Sequence, residues 1–388
     1  MDWQQVRGQF PVTNEYLYFD LANKCALPLW ATETIAAYIQ KQQRSGGDKA
    51  EWFATLEEAR TNFARLINAT LDEIAFTKNT SEGLNIAAAC LPLKAGDTVL
   101  LNEYEHPNNV YCWLNLERKG IKVKWIPTQG GQVTLDSLDE VMDDSVRVVS
   151  IASTTYAPGN QNDIRAISEY CRKRNIFTVV DAVQSVGTLQ VDVKELGVDV
   201  LCTSGHKSLF CPHGVGIVYI RKEMLDRMHP VYVARAGMGM GAQIEYSNIT
   251  YKLDQAHSAR KFEIGNYNYL GLTVLNESVK FLLNLGMENV ENRILELNSY
   301  LIAKLVQAGF PVVSPHTGPL RSAIVCFEAA DARALHGFLM ENKAITTLRR
   351  DTIRISLGIY NNESDIDAFV ELASRWKQSV STSGSSPQ

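Results

Sequence analysis

The sequence holds no run of lysines or arginines, and its charge leans the other way. Lys and Arg number 38 against 43 Asp and Glu, a formal net charge of -5. A nucleic-acid binder needs a basic stripe to displace phosphate counterions, so that class is excluded. Long apolar runs are missing too. Segments such as 86–93 (IAAACLPL) and 146–153 (VRVVSIAS) fall far short of the roughly 20 residues a membrane helix needs, so no membrane association is expected. The opening MDWQQVRGQF lacks the basic-then-apolar pattern of a secretory signal. The seven cysteines, at 25, 90, 112, 171, 202, 211 and 326, form no C-x-x-C pair and no tight cluster. That argues against a disulfide framework and against a structural zinc site. Free thiols in a cytoplasmic protein, with no metal centre, are the plain expectation. Hydrophobic residues at 45% and charged residues at 21% exclude wholesale disorder, and 388 residues suit two interleaved lobes. What remains is a protein that handles small molecules.

What is present is alternation. Val146 to Ala152 reads as a buried strand, and Asp163 can cap a helix over 164–174 whose apolar face is Ile164, Ile167, Tyr170 and Cys171. Strands follow at Phe177 to Val180, Val198 to Thr203 and Gly216 to Ile220, with earlier candidates at Val99 to Leu101 and Val123 to Ile126. Strands alternating with helices predict an α/β fold with parallel, right-handed crossovers. Beyond about residue 265 a long helical region over 272–308, broken near Gly286, precedes two short strands at Ala323–Phe327 and Thr352–Ser356. That texture reads as a smaller α+β lobe. The expected division is 15–265 for the large lobe, 1–14 with 266–378 for the small lobe, and a disordered tail over 379–388.

Ligands in open α/β sheets sit beyond the carboxyl ends of the strands, so the polar residues there carry the interest. Strand 177–180 runs into Asp181, and strand 198–203 into Ser204, His206 and Lys207. Each has an ordinary alternative, the acid as a helix cap and the lysine as a solvated charge. Together they suit pyridoxal phosphate. A lysine amine holds its aldehyde as a Schiff base, and a carboxylate keeps its ring nitrogen protonated. A phosphate cup is also needed. In 77–89 (TKNTSEGLNIAAA) Asn79 as cap and Glu82 three residues on resemble a capping box, leaving the N–H groups of Thr80 and Ser81 free for an anion. The glycine run 236–242 (AGMGMGA) imitates a dinucleotide fingerprint, but its G-x-G-x-G spacing lacks a framing strand, helix and ribose-binding acid.

With DAVQSVG (181–187) and SGHKSLFCPHGVG (204–216) in hand, the chain resembles the aminotransferase class V family of fold-type I pyridoxal-phosphate enzymes. That family includes cysteine desulfurases, selenocysteine lyases and isopenicillin N epimerase-like proteins. Further motifs match in order: YLYFDLANKCALP (16–28), NTSEGLN (79–85), EYEHPNNV (103–110), RKFEIGNYN (260–268) and IRISLGIYNNESDID (353–367). The resemblance implies a large lobe with a mostly parallel seven-stranded sheet and a homodimer with shared active sites. It implies that Lys207 is the Schiff-base lysine and the base at the α-carbon of an amino-acid substrate. It also implies that Asp181 pairs with the ring nitrogen, Gln184 with the ring hydroxyl, and that His106 stacks on the ring. Thr80, Ser81, Ser204 and His206 would hold the phosphate, aided by Asn266 of the second subunit. Arg354 would clamp the substrate carboxylate with a fork that lysine cannot reproduce, with Asn23 and Tyr156 beside the substrate.

The departures shape the expected reaction. Asn266 and Cys211 stand where the family usually has Thr and Gly, and Tyr156 where desulfurases commonly have asparagine. The stretch before the arginine strand, ENKAITTLRRDT (341–352), contains no cysteine, although desulfurases carry their nucleophile there. Cys326 reads as core, and Cys25 and Cys211 as unactivated thiols. The expectation is β-elimination, as a C–S lyase acting on an S-substituted cysteine, rather than persulfide formation. Epimerisation, with Tyr156 or Cys25 as the second acid, or transamination is the alternative.

Overall fold

The computed structural model describes residues 2–128, 130–239 and 253–383. Seven strands build the central sheet: β1 (Ile74–Thr77), β2 (Thr98–Asn102), β3 (Lys122–Ile126), β4 (Val146–Ala152), β5 (Phe177–Asp181), β6 (Val200–Ser204) and β7 (Gly216–Ile220). Their spatial order is β1-β7-β6-β5-β4-β2-β3. The strands are buried along nearly their whole length because both faces are covered, except β3 at the sheet edge, where Lys122 and Trp125 are exposed. Successive side chains go to opposite cores: Val99 and Leu101 pack on one side of the sheet, Leu100 on the other. Between β4 and β5 lies α4 (Ile164–Arg172), capped as expected by Asp163, whose carboxylate accepts the Ala166 N–H at 3.0 Å.

The expectation of parallel crossovers fails at β7, which is antiparallel to both β6 and β1. Residues 205–215 form a loop with no helix, too short for a parallel return, so the chain doubles back. That reversal matters to the site, because the loop carries Lys207.

Beyond the sheet, α5 (Tyr269–Leu285) and α6 (Met287–Gln307) meet at Gly286, whose φ of +77° breaks the helix where the sequence placed the break. A three-stranded antiparallel sheet, ordered β9-β10-β8, follows: β8 (Ile324–Phe327), β9 (Thr347–Arg349) and β10 (Thr352–Ser356). Helix α7 (Ala332–Glu341) lies between β8 and β9 in the chain, and α8 (Glu363–Ser383) follows β10.

Contacts run across the lobe boundaries drawn from sequence as well as within the lobes. Arg7 pairs with Asp365 at 2.7 Å and Phe10 meets Tyr360 at 4.8 Å, which ties the first residues to the C-terminal part. The pairing continues past residue 15: Leu17–Tyr18 lies parallel to Ala344–Ile345, and Asp20 bridges to Ser356. Past residue 266, α5 still packs on α1 (Lys49–Leu66), where the Asn62 amide donates to Asn276 at 2.9 Å. Nor does 379–388 begin as a tail, because α8 runs on to Ser383; residues 384–388 lie outside the described residues. Of the glycine run, residues 240–242 also lie outside them; Arg235–Gly237 is a single 3-10 turn. Among the described residues no helix is long and apolar enough to cross a membrane.

Candidate active site

Segments from both halves of the chain meet beyond the carboxyl ends of β4, β5 and β6, around a cleft of about 410 Å³. Its floor is Lys207, half-buried in the β6–β7 loop. Packing fixes this loop: the Ser208 hydroxyl donates to the Val186 carbonyl at 2.7 Å, and the Cys25 N–H donates to the His206 carbonyl at 2.9 Å. Gly187 is required for that approach. It has a φ of +94°, and a Cβ there would lie 2.6 Å from the Ser208 carbonyl oxygen. Burial pushes the Lys207 amine down to about 8, assisted by Arg354 and Arg349 and opposed by Asp181. Asp181, at the end of β5, is buried and accepts the Val183 N–H at 3.0 Å. Its carboxyl is raised by burial, against the bond from Val183 and the charge of Lys207.

At one end of the cleft is the start of α2 (Thr80–Cys90), where Thr80 and Ser81 line the wall. The Asn79 side chain accepts from the Glu82 N–H at 3.0 Å, as expected, but the Glu82 carboxylate reaches back to the Lys78 N–H rather than to Asn79. Gly216 permits this helix to start against β7, since a Cβ there would sit 2.5 Å from the Asn79 Cα. The Thr80 hydroxyl donates to Ser204 Oγ at 3.0 Å, and Ser204 is 3.0 Å from His206 Nδ1. His206 stacks on His213, ring centres 4.6 Å apart. Its imidazole is held down to about 4 by burial and by Lys207 and His213. The first N–H groups of a helix have no partner within it, so this end is a preorganised anion cup.

His106 caps α3 (Pro107–Leu114), its Nδ1 accepting the Asn108 N–H at 3.2 Å, which leaves the ring proton on Nε2. Desolvation, then Lys207, Arg349 and Arg354, lower it to about 4. Tyr156 meets it edge-on at 5.6 Å. Gln184 donates to the Ala22 carbonyl at 3.1 Å, which ties the N-terminal segment to the cleft, and Asn23, also on the wall, donates to Asp20 within that segment at 3.0 Å.

The opposite end is cationic. Arg354, on β10, is 2% exposed. Its Nη1 donates to the Tyr156 carbonyl at 3.0 Å, and its Nη2 lies 3.8 Å from Asp20. Its Nε and Nη2 hydrogens have no acceptor. A buried guanidinium with unspent donors is costly unless an anion completes it. Burial and the neighbouring Arg349 bring it down to about 10.

Asn266 is not brought into this cleft by its own chain. It lines an adjoining cavity of about 310 Å³ that shares Lys78 and Gly214 with the cleft. Its segment is anchored by a buried Arg60–Glu263 pair at 2.7 Å. From the N-terminal segment the cleft takes Ala22 and Asn23.

Sequence reasoning missed three residues. Arg349 lines the cleft beside Arg354. His213 stacks behind the cup. Glu105, beside His106, is buried and accepts the Ala152 N–H at 2.8 Å and the Asn109 amide at 2.9 Å. The doubled arginine of TTLRRDT, at an alternating position to Thr347, was the available signal for the first. No thiol stands ready as a nucleophile: burial pushes Cys25 up to about 12, Cys326 to about 11 and Cys211 well above its ordinary value. Among the described residues no grouping of His, Cys, Asp and Glu could hold a metal.

An anion cup, a lowered lysine amine and a strand-end carboxylate within one cleft fit pyridoxal phosphate, and define a fold-type I enzyme dependent on it. The chain belongs to the aminotransferase class-V family, whose model matches residues 31–369. It is 30% identical over 370 residues to an uncharacterized aminotransferase of Schizosaccharomyces pombe, covering 94% of this chain and 93% of that one. A probable cysteine desulfurase of Pyrococcus abyssi is 29% identical over 404 residues, covering 98% and 99%. Among solved structures, the cystine C–S lyase C-DES in complex with its product cysteine persulfide superposes with a TM-score of 0.85 at 25% identity, covering 94% of this chain and 99% of that one.

Proposed function

We propose that the enzyme is a C–S lyase that cleaves S-substituted cysteines by β-elimination. The observation that carries this reading is the β9–β10 hairpin. It occupies the position before the arginine strand without supplying a cysteine, so no protein thiol there can take sulfur from the substrate.

Pyridoxal phosphate, when bound, supplies an aldehyde that joins amines and a ring that accepts the electron pair left at the α-carbon. The residues do the rest. Arg354 receives the substrate carboxylate on the donors it holds unspent. Asp181 would pair with the ring nitrogen, and His106, neutral, would cover the ring face. Lys207, lowered to about 8, takes the α-proton. The Cβ–S bond then breaks with its electron pair on sulfur, which leaves as a thiol after accepting a proton. Water completes the balance: substrate and one water give the thiol, pyruvate and ammonia. Epimerisation or transamination would use the same Lys207 step, and epimerisation would add Tyr156 or Cys25 as a second acid; Tyr156 lines the cleft, whereas burial pushes the Cys25 thiol up to about 12. We further infer a homodimer, because Asn266 sits in the adjoining cavity rather than in its own chain's cleft.

The test is pyruvate release by the cofactor-loaded protein from a panel of S-substituted cysteines, with Lys207→Ala as the blank. Release that depends on Lys207 supports elimination. Absence of pyruvate across the panel, with deuterium uptake at the α-carbon, replaces it with epimerisation or transamination.

A further inference from the structure

The hairpin that replaces a cysteine-bearing stretch presents a second guanidinium to the cleft. In its register Thr347 faces Arg354 and Arg349 faces Thr352. Residues directly opposite in an antiparallel pair lie on one face, as do residues two apart on one strand. Thr347, Arg349, Thr352 and Arg354 therefore share a face, and both arginines line the Lys207 cleft. Leu348 and Ile353, the pair between them, turn the other way into the core.

The two arginines differ in what balances them. Arg354 has Asp20 at 3.8 Å, and the Thr347 hydroxyl holds that same carboxylate. Arg349 has no acid within ion-pair distance among the described residues; its Nη1 donates only to the carbonyl of Leu348, at 3.0 Å. Its charge is nonetheless felt at His106, Lys207 and Arg354. An amino acid's own carboxylate, seated on Arg354, leaves this second cation unanswered. The backbone of the turn next to Arg349 is anchored. The next residue, Arg350, stacks on the Tyr104 ring at 4.3 Å and donates to the Glu103 carbonyl at 2.8 Å. The turn at Arg350 and Asp351 is left-handed at both residues, φ 46° and 60°, which closes the hairpin in the fewest residues.

We propose that Arg349 determines substrate specificity by binding an anionic group at the far end of the side chain. This rests on the elimination reading above, and it narrows the substrate class to cysteines whose sulfur substituent carries a carboxylate or an equivalent acid. A guanidinium meets such a group with a bidentate, charge-assisted pair that a neutral substituent of the same shape does not form.

The test compares two isosteric amino acids, S-carboxymethyl-L-cysteine and S-carbamoylmethyl-L-cysteine, on the cofactor-loaded enzyme. Two quantities are read: kcat/KM for pyruvate release, and the concentration giving half the change in cofactor absorbance on mixing. Both are expected to favour the charged compound by about tenfold or more. Arg349→Gln should collapse that ratio to near one, and Arg349→Lys should retain part of it, which separates lost charge from a misfolded hairpin. No preference in the parent enzyme overturns the proposal. So does an equal loss for both compounds in Arg349→Gln, which would mean that both arginines grip the α-carboxylate. Failure of the underlying reading looks different: a tenfold preference in the absorbance change without any pyruvate keeps Arg349 in its role and removes elimination.

Discussion

Arg354 and Asp20 lie 3.8 Å apart in the interior, an ion pair too long to be a hydrogen bond, and the arginine keeps two buried donors without acceptors. Asp20 balances the charge without using up the fork. The fork stays open for the incoming carboxylate that the proposed function assigns to it, and the first prediction follows from that proposal. Arg354→Lys keeps the charge but loses the paired donors, so kcat/KM should fall by about 100-fold, chiefly through KM. Steady-state kinetics with a fixed substrate checks it; a fall confined to kcat would contradict a binding role.

Lys207 gives a pH prediction. Only a neutral amine attacks the cofactor aldehyde, and burial first, with the two arginines, brings this amine from its ordinary 10.5 to about 8. The rate at which apoprotein takes up pyridoxal phosphate should therefore rise with pH through a midpoint near 8. Stopped-flow absorbance across pH 6 to about 11 reads it directly. A midpoint near that of a free lysine would show that the floor of the cleft is wet.

Much of the central sheet and of the cleft is legible in the amino-acid sequence alone. Short apolar runs mark β2 to β7, and Asp181, Ser204 and Lys207 fall at or just beyond strand ends as the α/β rule requires. The illegible parts have physical reasons. The direction of β7 depends on whether residues 205–215 fold as a helix, and that stretch carries no helical periodicity to read. The pairing of Leu17–Tyr18 with Ala344–Ile345 escapes because each is only a two-residue strand, below any periodic signal. Arg349 escapes because a three-residue strand gives a single alternation. Glu105 escapes because its burial is set by Ala152 and Asn109, remote or hidden in sequence.

Glu105 carries its own prediction. Burial pushes its carboxyl up to about 8, against bonds from Asn109 and Ala152 and with Asp181 nearby. An acid whose folded pKa exceeds its unfolded value stabilises fully below the unfolded value, near 4.5, and loses that contribution as pH rises through about 8. Glu105 therefore contributes a fall in Tm of the apoprotein from pH 5 to about 8.5, opposed below about 6.5 by His106 and His206, whose lowered imidazoles favour the fold as pH rises; Glu105→Gln should remove that fall, so that the Tm difference between parent and variant declines across the range. Asp181, raised by burial, adds a residual slope of the same sign. Scanning calorimetry over that range decides it; an unchanged slope in the variant would place the titration elsewhere.

The contact between Arg350 and Tyr104 joins the hairpin, which carries both arginines, to the loop that carries His106. Two independent attachments meet there, the guanidinium over the ring and its hydrogen bond to the Glu103 carbonyl. At a partly exposed site each contributes about 0.5–1 kcal/mol. Arg350→Ala removes both and should raise KM about three- to tenfold, by letting the hairpin move relative to His106. Tyr104→Ala removes only the ring and should cost less, whereas Tyr104→Phe keeps the π face and should cost nothing measurable. A double-mutant cycle on KM then isolates the ring contact: with Arg350 already replaced, Tyr104→Ala should have almost no further effect. Full additivity of the two losses would show that the arginine and the tyrosine act separately, and that the hairpin is held by its β10 pairing alone.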